Sequence, residues 1–543
     1  MKTDKWVLPL LLLGLCFLIY FVNLGRWDLW DPDEPRYAQV SREMVSRGDW
    51  VLMHLNGRTY GDKPPLFFWL IALSSYLWGG FTSFSARVPS AFLGTLTVLL
   101  TFYLGKRLDG VRTGFFSALI LATSSQYAYL STRANIDTTL TFFTTASLFF
   151  FLDWYPWGMP EEERQEDGRR RSIYGFYVCT ALATLAKGPV GVLLPLLVCL
   201  VYLLVRRDWR AIRRMKWLPG VILFLVIVLA WYIPAVLRGG RPYLMETLFK
   251  HTVDAYAKGW THVRPVYYYL YNFPLSFLPW MIFLPAAFAY CSFKDTIGKR
   301  REVSFPILWF AVIFLFFSLS KGKRSLYLLP LYPAASLMVG KLWNDFVSAP
   351  MPPFKDKLIF VPLYGLMGSM LIIGLAIPWV VLKKFPSYLA YSLPVALLMA
   401  GGSLVLFFLC RFKNRGVLLY VIIGMLAGGY FYASGALFPL INPVRTDRFM
   451  AQKVAAHILP GETLSVYGKI DPVPYNFYID IVPIMELNTK EALLDYLNSS
   501  ERVFCLLSFA DYSRLQILEG SSKVQLLLRE TVGKNDTVLI SNR

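Results

Sequence analysis

A chain of 543 residues in which 56% are hydrophobic and only 17% charged does not read as a set of soluble domains, and apolar runs of membrane-spanning length recur from Trp6 to Leu440. A net charge of +20 would suggest nucleic acid as the partner of a soluble protein. Here much of it sits in short loops, RRDWRAIRRMK (206–216), KDTIGKRR (294–301) and RFKNR (411–415), where Lys and Arg set topology by facing the cytoplasm. The six cysteines are scattered singly with no CxxC pair, so neither a disulfide scaffold nor a cysteine-based metal site is indicated.

The N-terminus is short and basic, and Val7 to Phe21 follows as an apolar run. No small-residue cleavage site comes after it, so an uncleaved first span is expected, delivering 23–63 to the outer face. The basic loop 105–112 belongs inside, which requires an odd number of crossings between Lys63 and Gly105. Of the two apolar stretches in that interval, 66–78 has about 13 residues and 86–104 about 19, so only the second is long enough to span and the first is expected to lie at the interface. Further spans near 114–131, 137–153, 173–187, 188–205, 217–237, 274–290, 303–320, 324–343, 358–380, 390–410 and 417–438 put every strongly basic short loop inside, for about thirteen in all. The aromatic-rich 267–280 reads as an interfacial belt, and no internal repeat is visible.

After Asn442 the composition changes. LSVYG, VFCLLSF and TVLIS read as buried strands, while RTDRFMAQKVAAHIL and TKEALLDYLN have helical spacing with charged faces. The expected architecture is therefore an α-helical polytopic membrane domain over 1–440 and a small α/β domain over 441–543 on the outer side.

Under this topology the outward loops collect Asp31, Asp33, Glu34, Arg36 and Lys63, then Arg133 and Asp137, Lys187, His251, His262 and Arg264, and finally Lys321, Lys323 and Arg324. Cations on a face that should be poor in them call for a fixed anion, and the natural one at a membrane boundary is a lipid phosphate. Snorkelling to headgroups is the bland alternative for any single cation. Asp33 and Glu34, bracketed by Pro32 and Pro35, open an amphipathic helix with apolar Tyr37, Val40 and Met44. These acids, like Asp137 at the start of a span, could serve only as helix caps. Paired carboxylates beside several cations are also what glycosyl transfer requires: one group to take a proton from the acceptor, and cations to stabilise a departing phosphate.

Four segments carry a family resemblance: LWDPDEPRYAQVSREMVSRGDWVLMHLNGRTYGDKPP (29–65), RANIDT (133–138), LAKGPVGVLLP (185–195) and FSLSKGKRSLYLLPLYPA (317–334). In this order they resemble the aminoarabinose transferase group of polyprenyl-phosphate-dependent glycosyltransferases, relatives of the protein O-mannosyltransferases with the GT-C membrane fold. The resemblance covers the membrane region and is weak over the C-terminal domain. It implies that Asp33 and Asp137, with Glu34 beside the first, are the catalytic acids. It also implies that Lys63 meets the lipid phosphate, with Arg36 in the same motif, and that Tyr327 lies close to it; Lys187, Arg264, Lys321, Lys323 and Arg324 are the further donor-binding candidates that the topology supplies. Asp62 and His251 match the ligands of a bound divalent, zinc-like metal that the chemistry itself does not require, although the acid is one methylene shorter than in the family pattern. Some relatives carry an arginine downstream of that histidine where this chain has Asp254, and Lys258 or Arg264 is a candidate to replace it. For His251 alone, a hydrogen-bonded interfacial histidine is the alternative.

The expected function is thus transfer of a sugar, an aminoarabinose-like pentose or a hexose, from a polyprenyl phosphate to an acceptor outside the cytoplasm. Lipid A, a protein or another glycan is the candidate acceptor. The expected setting is the bacterial inner membrane, with a periplasmic site, membrane lipids as surroundings, no nucleic acid and a monomeric chain. A transporter or flippase is the competing class, but such proteins tend to show repeated halves and polar groups near midplane, whereas these ionisable groups gather at one face.

Overall fold

The computed structural model describes residues 6–155, 167–247, 262–292, 304–348, 353–412, 414–519, 524–532 and 535–543. The chain divides into two compact units: Met1–Leu24, Asp62–Phe67 and Arg87–Ala433 form the first, and Gly25–Gly61, Phe68–Ala86 and Ser434–Arg543 the second.

The first unit is helical. Among the described residues, Ser83–Asp109, Trp217–Met245, Asp356–Lys384, Pro386–Arg411 and Arg415–Arg445 are long and apolar enough to cross a membrane, and shorter apolar helices such as Val7–Phe21 and Val190–Val205 accompany them. Small residues let the helices touch backbone to backbone. A Cβ on Gly114 would stand 2.2 Å from the Phe102 carbonyl oxygen, and one on Gly191 would stand 2.2 Å from the Ala183 carbonyl carbon, the close approach that packs helices where no hydrophobic driving force separates lipid from side chain. The helix Ile136–Trp154 buries a run of hydroxyls. Thr141 and Thr145 satisfy theirs internally, donating to the carbonyls of Asp137 and Thr141 at 2.7 Å each.

Three segments expected as continuous spans are interrupted. Residues 114–131 fold as Val111–Ala122 and Ser125–Ser131. Residues 274–290 fold as Tyr268–Ser276, a 3₁₀ turn Trp280–Ile282 and Leu284–Ser292, and 324–343 begins as the 3₁₀ segment Ser325–Leu331 before Tyr332–Ser348. Apolar runs hide such breaks because hydropathy sees composition rather than hydrogen bonds. The freed polar groups pair with one another, as a water-poor interior demands. The Ser125 N–H donates to the Leu278 carbonyl at 3.0 Å, and its hydroxyl donates to Ser276 at 2.9 Å. Trp280 Nε1–H donates to Thr123 Oγ1 at 3.2 Å, and the Tyr20 hydroxyl donates to the Ala122 carbonyl at 2.9 Å.

The second unit joins the first predicted outer loop to the C-terminal region. The loop supplies the helix Asp33–Arg47, buried through Tyr37, Val40 and Met44, and an antiparallel hairpin of β1 (His54–Leu55) and β2 (Arg58–Thr59). The hairpin turns on Asn56 and Gly57, both at positive φ (52° and 78°), the pair of left-handed residues a tight hairpin favours. Buried Glu43 accepts both turn N–H groups, at 2.8 and 3.0 Å. The Asn56 amide exchanges hydrogen bonds with the backbone of Ile484 at 2.8 and 2.7 Å, which pins the hairpin to the C-terminal sheet.

That sheet has the order β4-β3-β5-β7-β6, from β3 (Thr463–Tyr467), β4 (Met485–Leu487), β5 (Val503–Ser508), β6 (Gln525–Val532) and β7 (Asn535–Ser541). β3 runs parallel to β4 and β5, with Ser465 opposite Cys505, and β7 is antiparallel to β5 and β6. Both faces are covered. Phe504 and Leu506 pack with Met450 and Val454 on one side, and Cys505 and Leu507 pack with Leu493 and Leu515 on the other. This is why β5 reads as an unbroken apolar run rather than an alternation.

Candidate active-site residues

In the first unit Asp137 stands in the first turn of Ile136–Trp154, yet it is not the cap. Asn135 caps the helix, its side chain accepting from the Asp137 N–H at 2.8 Å. Ser90 braces that cap reciprocally: its hydroxyl accepts from the Asn135 N–H at 3.1 Å and donates to the Asn135 carbonyl at 3.2 Å. The Asp137 carboxylate is left to pair with Lys187, and both side chains are largely buried, 5% and 14% exposed. Lys187 ends the helix Asp167–Lys187, where Gly188 takes the left-handed conformation (φ 76°). Its ammonium lies 4.3 Å from the centre of the Tyr327 ring, a cation–π distance. Sequence reasoning missed Ser90 and Asn135, although Asn two residues before an acid at a helix start is a capping signal.

The KGKR loop lies alongside residues 262–264. The Arg264 N–H donates to Lys321 at 3.3 Å and the Lys323 N–H to His262 at 3.0 Å. Lys323 is 2% exposed, and its ammonium donates to the carbonyls of Arg264, at 3.1 Å, and of Ser320. That geometry makes Lys323, expected to meet the phosphate, a brace of the loop as it stands. Lys321 and Arg264 are exposed, while Arg324 and Tyr327 are half-buried. The carbonyl of Arg324 accepts from the hydroxyl of fully buried Tyr269 at 3.1 Å. Lys63 is half-buried and donates to the Asp62 carbonyl at 3.1 Å.

In the second unit Asp33 opens the helix Asp33–Arg47 and is half-buried. Glu34, expected beside Asp33 as a catalytic acid, is fully buried, and its carboxylate accepts from the Trp30 N–H at 2.9 Å, which closes the turn. Arg36 pairs with Asp471 at 3.2 Å; a phosphate would compete for a guanidinium already engaged. Around this turn stand further acids. Asp28 pairs with Arg448, and Asp31 accepts from the Asp447 N–H at 3.1 Å. Burial, then the neighbouring Asp447, pushes the Asp31 carboxyl well above the usual carboxylate range, and burial with Asp471 raises Asp447 as well.

His251, Asp254 and Lys258 lie outside the described residues. Among the described residues no group of three or more His, Cys, Asp or Glu side chains is placed to hold a metal ion, and Asp62 alone makes no site.

The helical fold with its C-terminal sheet domain matches solved structures. The crystal structure of ArnT from Cupriavidus metallidurans bound to undecaprenyl phosphate superposes with a TM-score of 0.82 over 99% of this chain and 98% of that one, at 22% identity. The apo oligosaccharyltransferase of Archaeoglobus fulgidus gives 0.53 over 90% of this chain and 65% of that one, at 13% identity. The fold is the GT-C glycosyltransferase fold. Residues 6–238 match the dolichyl-phosphate-mannose-protein mannosyltransferase family model. An undecaprenyl phosphate-alpha-4-amino-4-deoxy-L-arabinose arabinosyl transferase of Aeromonas hydrophila is 31% identical over 431 residues, 76% of this chain and 74% of the relative. The chain belongs to this arabinosyl transferase family. It matches 59% of the length of a Pseudomonas aeruginosa relative of the same description, at 34% identity over 62% of this chain, and so spans about three fifths of several curated relatives.

Proposed function

We propose that this protein is an integral membrane glycosyltransferase that moves aminoarabinose from undecaprenyl phosphate to lipid A, acting on the periplasmic side of the bacterial inner membrane. The observation that carries the reading is the buried Asp137–Lys187 pair with Tyr327 over its cation, set in a chain 31% identical to a transferase of that description. The chemistry is a displacement at the anomeric carbon. An acceptor oxygen bonds to that carbon, the bond to the donor phosphate breaks, and the electron pair leaves with the lipid phosphate. Lys187 and Lys63 offset the charge gathering on the phosphate, which is largest in the transition state. Asp137 pairs with Lys187 and so orients the cation. Asp33, half-exposed, serves the acceptor: it orients an acceptor phosphate, which is already anionic, or takes the proton from a hydroxyl.

The exposed cations Lys321 and Arg264 suit an anionic headgroup, and the donor is lipid-linked because cytosolic nucleotide sugars do not reach this side. The metal expected at Asp62 and His251 belongs to this proposal as a ligand of the outer loops, with no step passing through it. The division into 1–440 and 441–543 and a monomeric chain are likewise part of it.

The match to the mannosyltransferase model over 6–238 favours one second reading, transfer of a hexose to protein. Purified protein in lipid, offered undecaprenyl-phosphate aminoarabinose with lipid A, should yield modified lipid A by mass spectrometry. A glycosylated protein product in its place establishes the second reading, and transfer from a nucleotide sugar but from no polyprenyl-phosphate sugar overturns both.

A further inference from the structure

We propose that Asn442 is a positioning residue for the turn that presents Asp33; this inference rests on the part given to Asp33 under the proposed function. Asn442 lies on the short helix Phe438–Arg445, of which it is the buried residue. Its side-chain oxygen accepts two hydrogen bonds, from the Asp28 N–H at 3.3 Å and from Trp30 Nε1–H at 3.0 Å. An amide oxygen has two lone pairs, and here both go to the segment that leads into the Asp33 helix.

The tie passes along the backbone in short steps. Trp30 donates its own N–H to Glu34 Oε2 at 2.9 Å, and the Asp31 N–H donates to the Arg445 carbonyl at 3.2 Å. Asn442 therefore fixes residues 28 and 30, Arg445 fixes 31 and Glu34 closes the turn, with Asp33 inside the bracket. Phe438, one turn before Asn442, meets the edges of Trp27 and Trp30 with ring centres 5.1 and 5.5 Å apart, so the same helix sets the plane of the indole whose N–H it receives.

Other contacts hold the same segment, among them the Asp447 N–H on the Asp31 carboxylate at 3.1 Å. Arg448 pairs with Asp28, the Tyr478 hydroxyl donates to the Leu29 carbonyl at 3.1 Å, and the Asn56 hairpin is anchored on Ile484. Loss of the Asn442 oxygen lets the turn shift while the fold survives. A shift of about an ångström costs turnover by about 10- to 100-fold without weakening hold on the donor, because the donor phosphate is assigned to lysines of the other unit. The C-terminal region thereby gains a part in the reaction while supplying no reacting group.

The test compares Asn442→Leu, which removes the acceptor at similar volume, with Asn442→Asp, which keeps an oxygen in the same place. Both are measured in the full-length purified enzyme for kcat, donor KM and thermal unfolding, with Asp33→Asn alongside. The expected result is kcat lowered about 10- to 100-fold in Asn442→Leu, with donor KM and unfolding temperature close to wild type and kcat largely restored in Asn442→Asp. Wild-type kcat in Asn442→Leu overturns the inference. So does a loss of kcat that tracks a loss of stability, or an Asn442→Asp enzyme no better than Asn442→Leu. Should Asn442→Leu fail to accumulate, Asn442→Ser, whose oxygen is too short to reach, carries the same comparison. If Asp33→Asn turns over at the wild-type rate, it is the proposed part of Asp33 that fails, whatever Asn442 does.

Discussion

Asp137 and Asp33 each begin a helix, yet their surroundings differ. Asp137 has a lysine against it, itself covered by an aromatic ring, and its helix is capped by another residue. Asp33 stands in a turn that also carries Asp28, Asp31 and Glu34, and it lies near the Arg36 guanidinium, while Arg36 pairs with Asp471 and Asp28 with Arg448. The first arrangement holds a carboxylate fixed against a cation. The second gathers several carboxylates around one turn, of which Asp31 and Asp447 are raised by burial. A buried acid paired to a cation suits electrostatic duty, and a half-exposed acid at a turn suits contact with an acceptor.

The strongest way to break this comparison is to remove each charge at constant shape. Asp33→Asn and Asp137→Asn should each lower transfer by about 10²- to 10⁴-fold in well-expressed, folded protein, read as modified lipid A per unit time. Wild-type rates in either would end its assignment. Next comes the partner of the first acid. Lys187→Met leaves a nearly buried carboxylate uncompensated, at about 3–5 kcal/mol, and the double change Lys187→Met with Asp137→Asn should recover most of that stability in a thermal unfolding assay. Additive losses in this pair of variants would show that the ion pair does not couple them. Lys63→Met should then weaken donor binding by about 1.5–3 kcal/mol, the range for a hydrogen bond to a charged group, measured by titration with undecaprenyl phosphate; unchanged affinity would remove Lys63 from the phosphate site.

The smallest effect concerns the acid-rich side. Because the Asp31 carboxyl is raised in the folded state, its contribution to stability is complete below the ordinary carboxylate value of about 4 and is lost as pH rises through the raised value. Asp31→Asn should therefore flatten the decline in unfolding temperature between about pH 4 and about 8 and leave the profile below that window unchanged. Parallel pH profiles for the two proteins would mean that Asp31 carries its charge at little cost.

Much of this was readable in the residues. The helical membrane class follows from run length, because a bilayer core accepts only segments that satisfy their own backbone, and the short helix Leu66–Leu77 was distinguishable from Ser83–Asp109 by length alone. The amphipathic start at Asp33 and the strands at 463–467, 503–508 and 535–541 follow from pattern. β4, β6 and the helices Val473–Ile479 and Phe509–Glu519 escaped notice: β4 is three residues long, and β6 carries Arg529 and Glu530 near its end.

What sequence alone determined was which residue types stand at the ends of apolar segments, and with them the family and the candidate acids and cations. Tertiary structure decided which of these are engaged and by what. Lys323 turned to carbonyls, Glu34 to a backbone N–H, Lys187 to Asp137, and Asn442, 412 residues from Trp30, to an indole N–H. The reason is physical: hydropathy and helical period are local properties of the chain, whereas a buried polar group must find a partner wherever the fold brings one, whether one turn away, as for Glu34, or on a segment hundreds of residues off, as for Asn442.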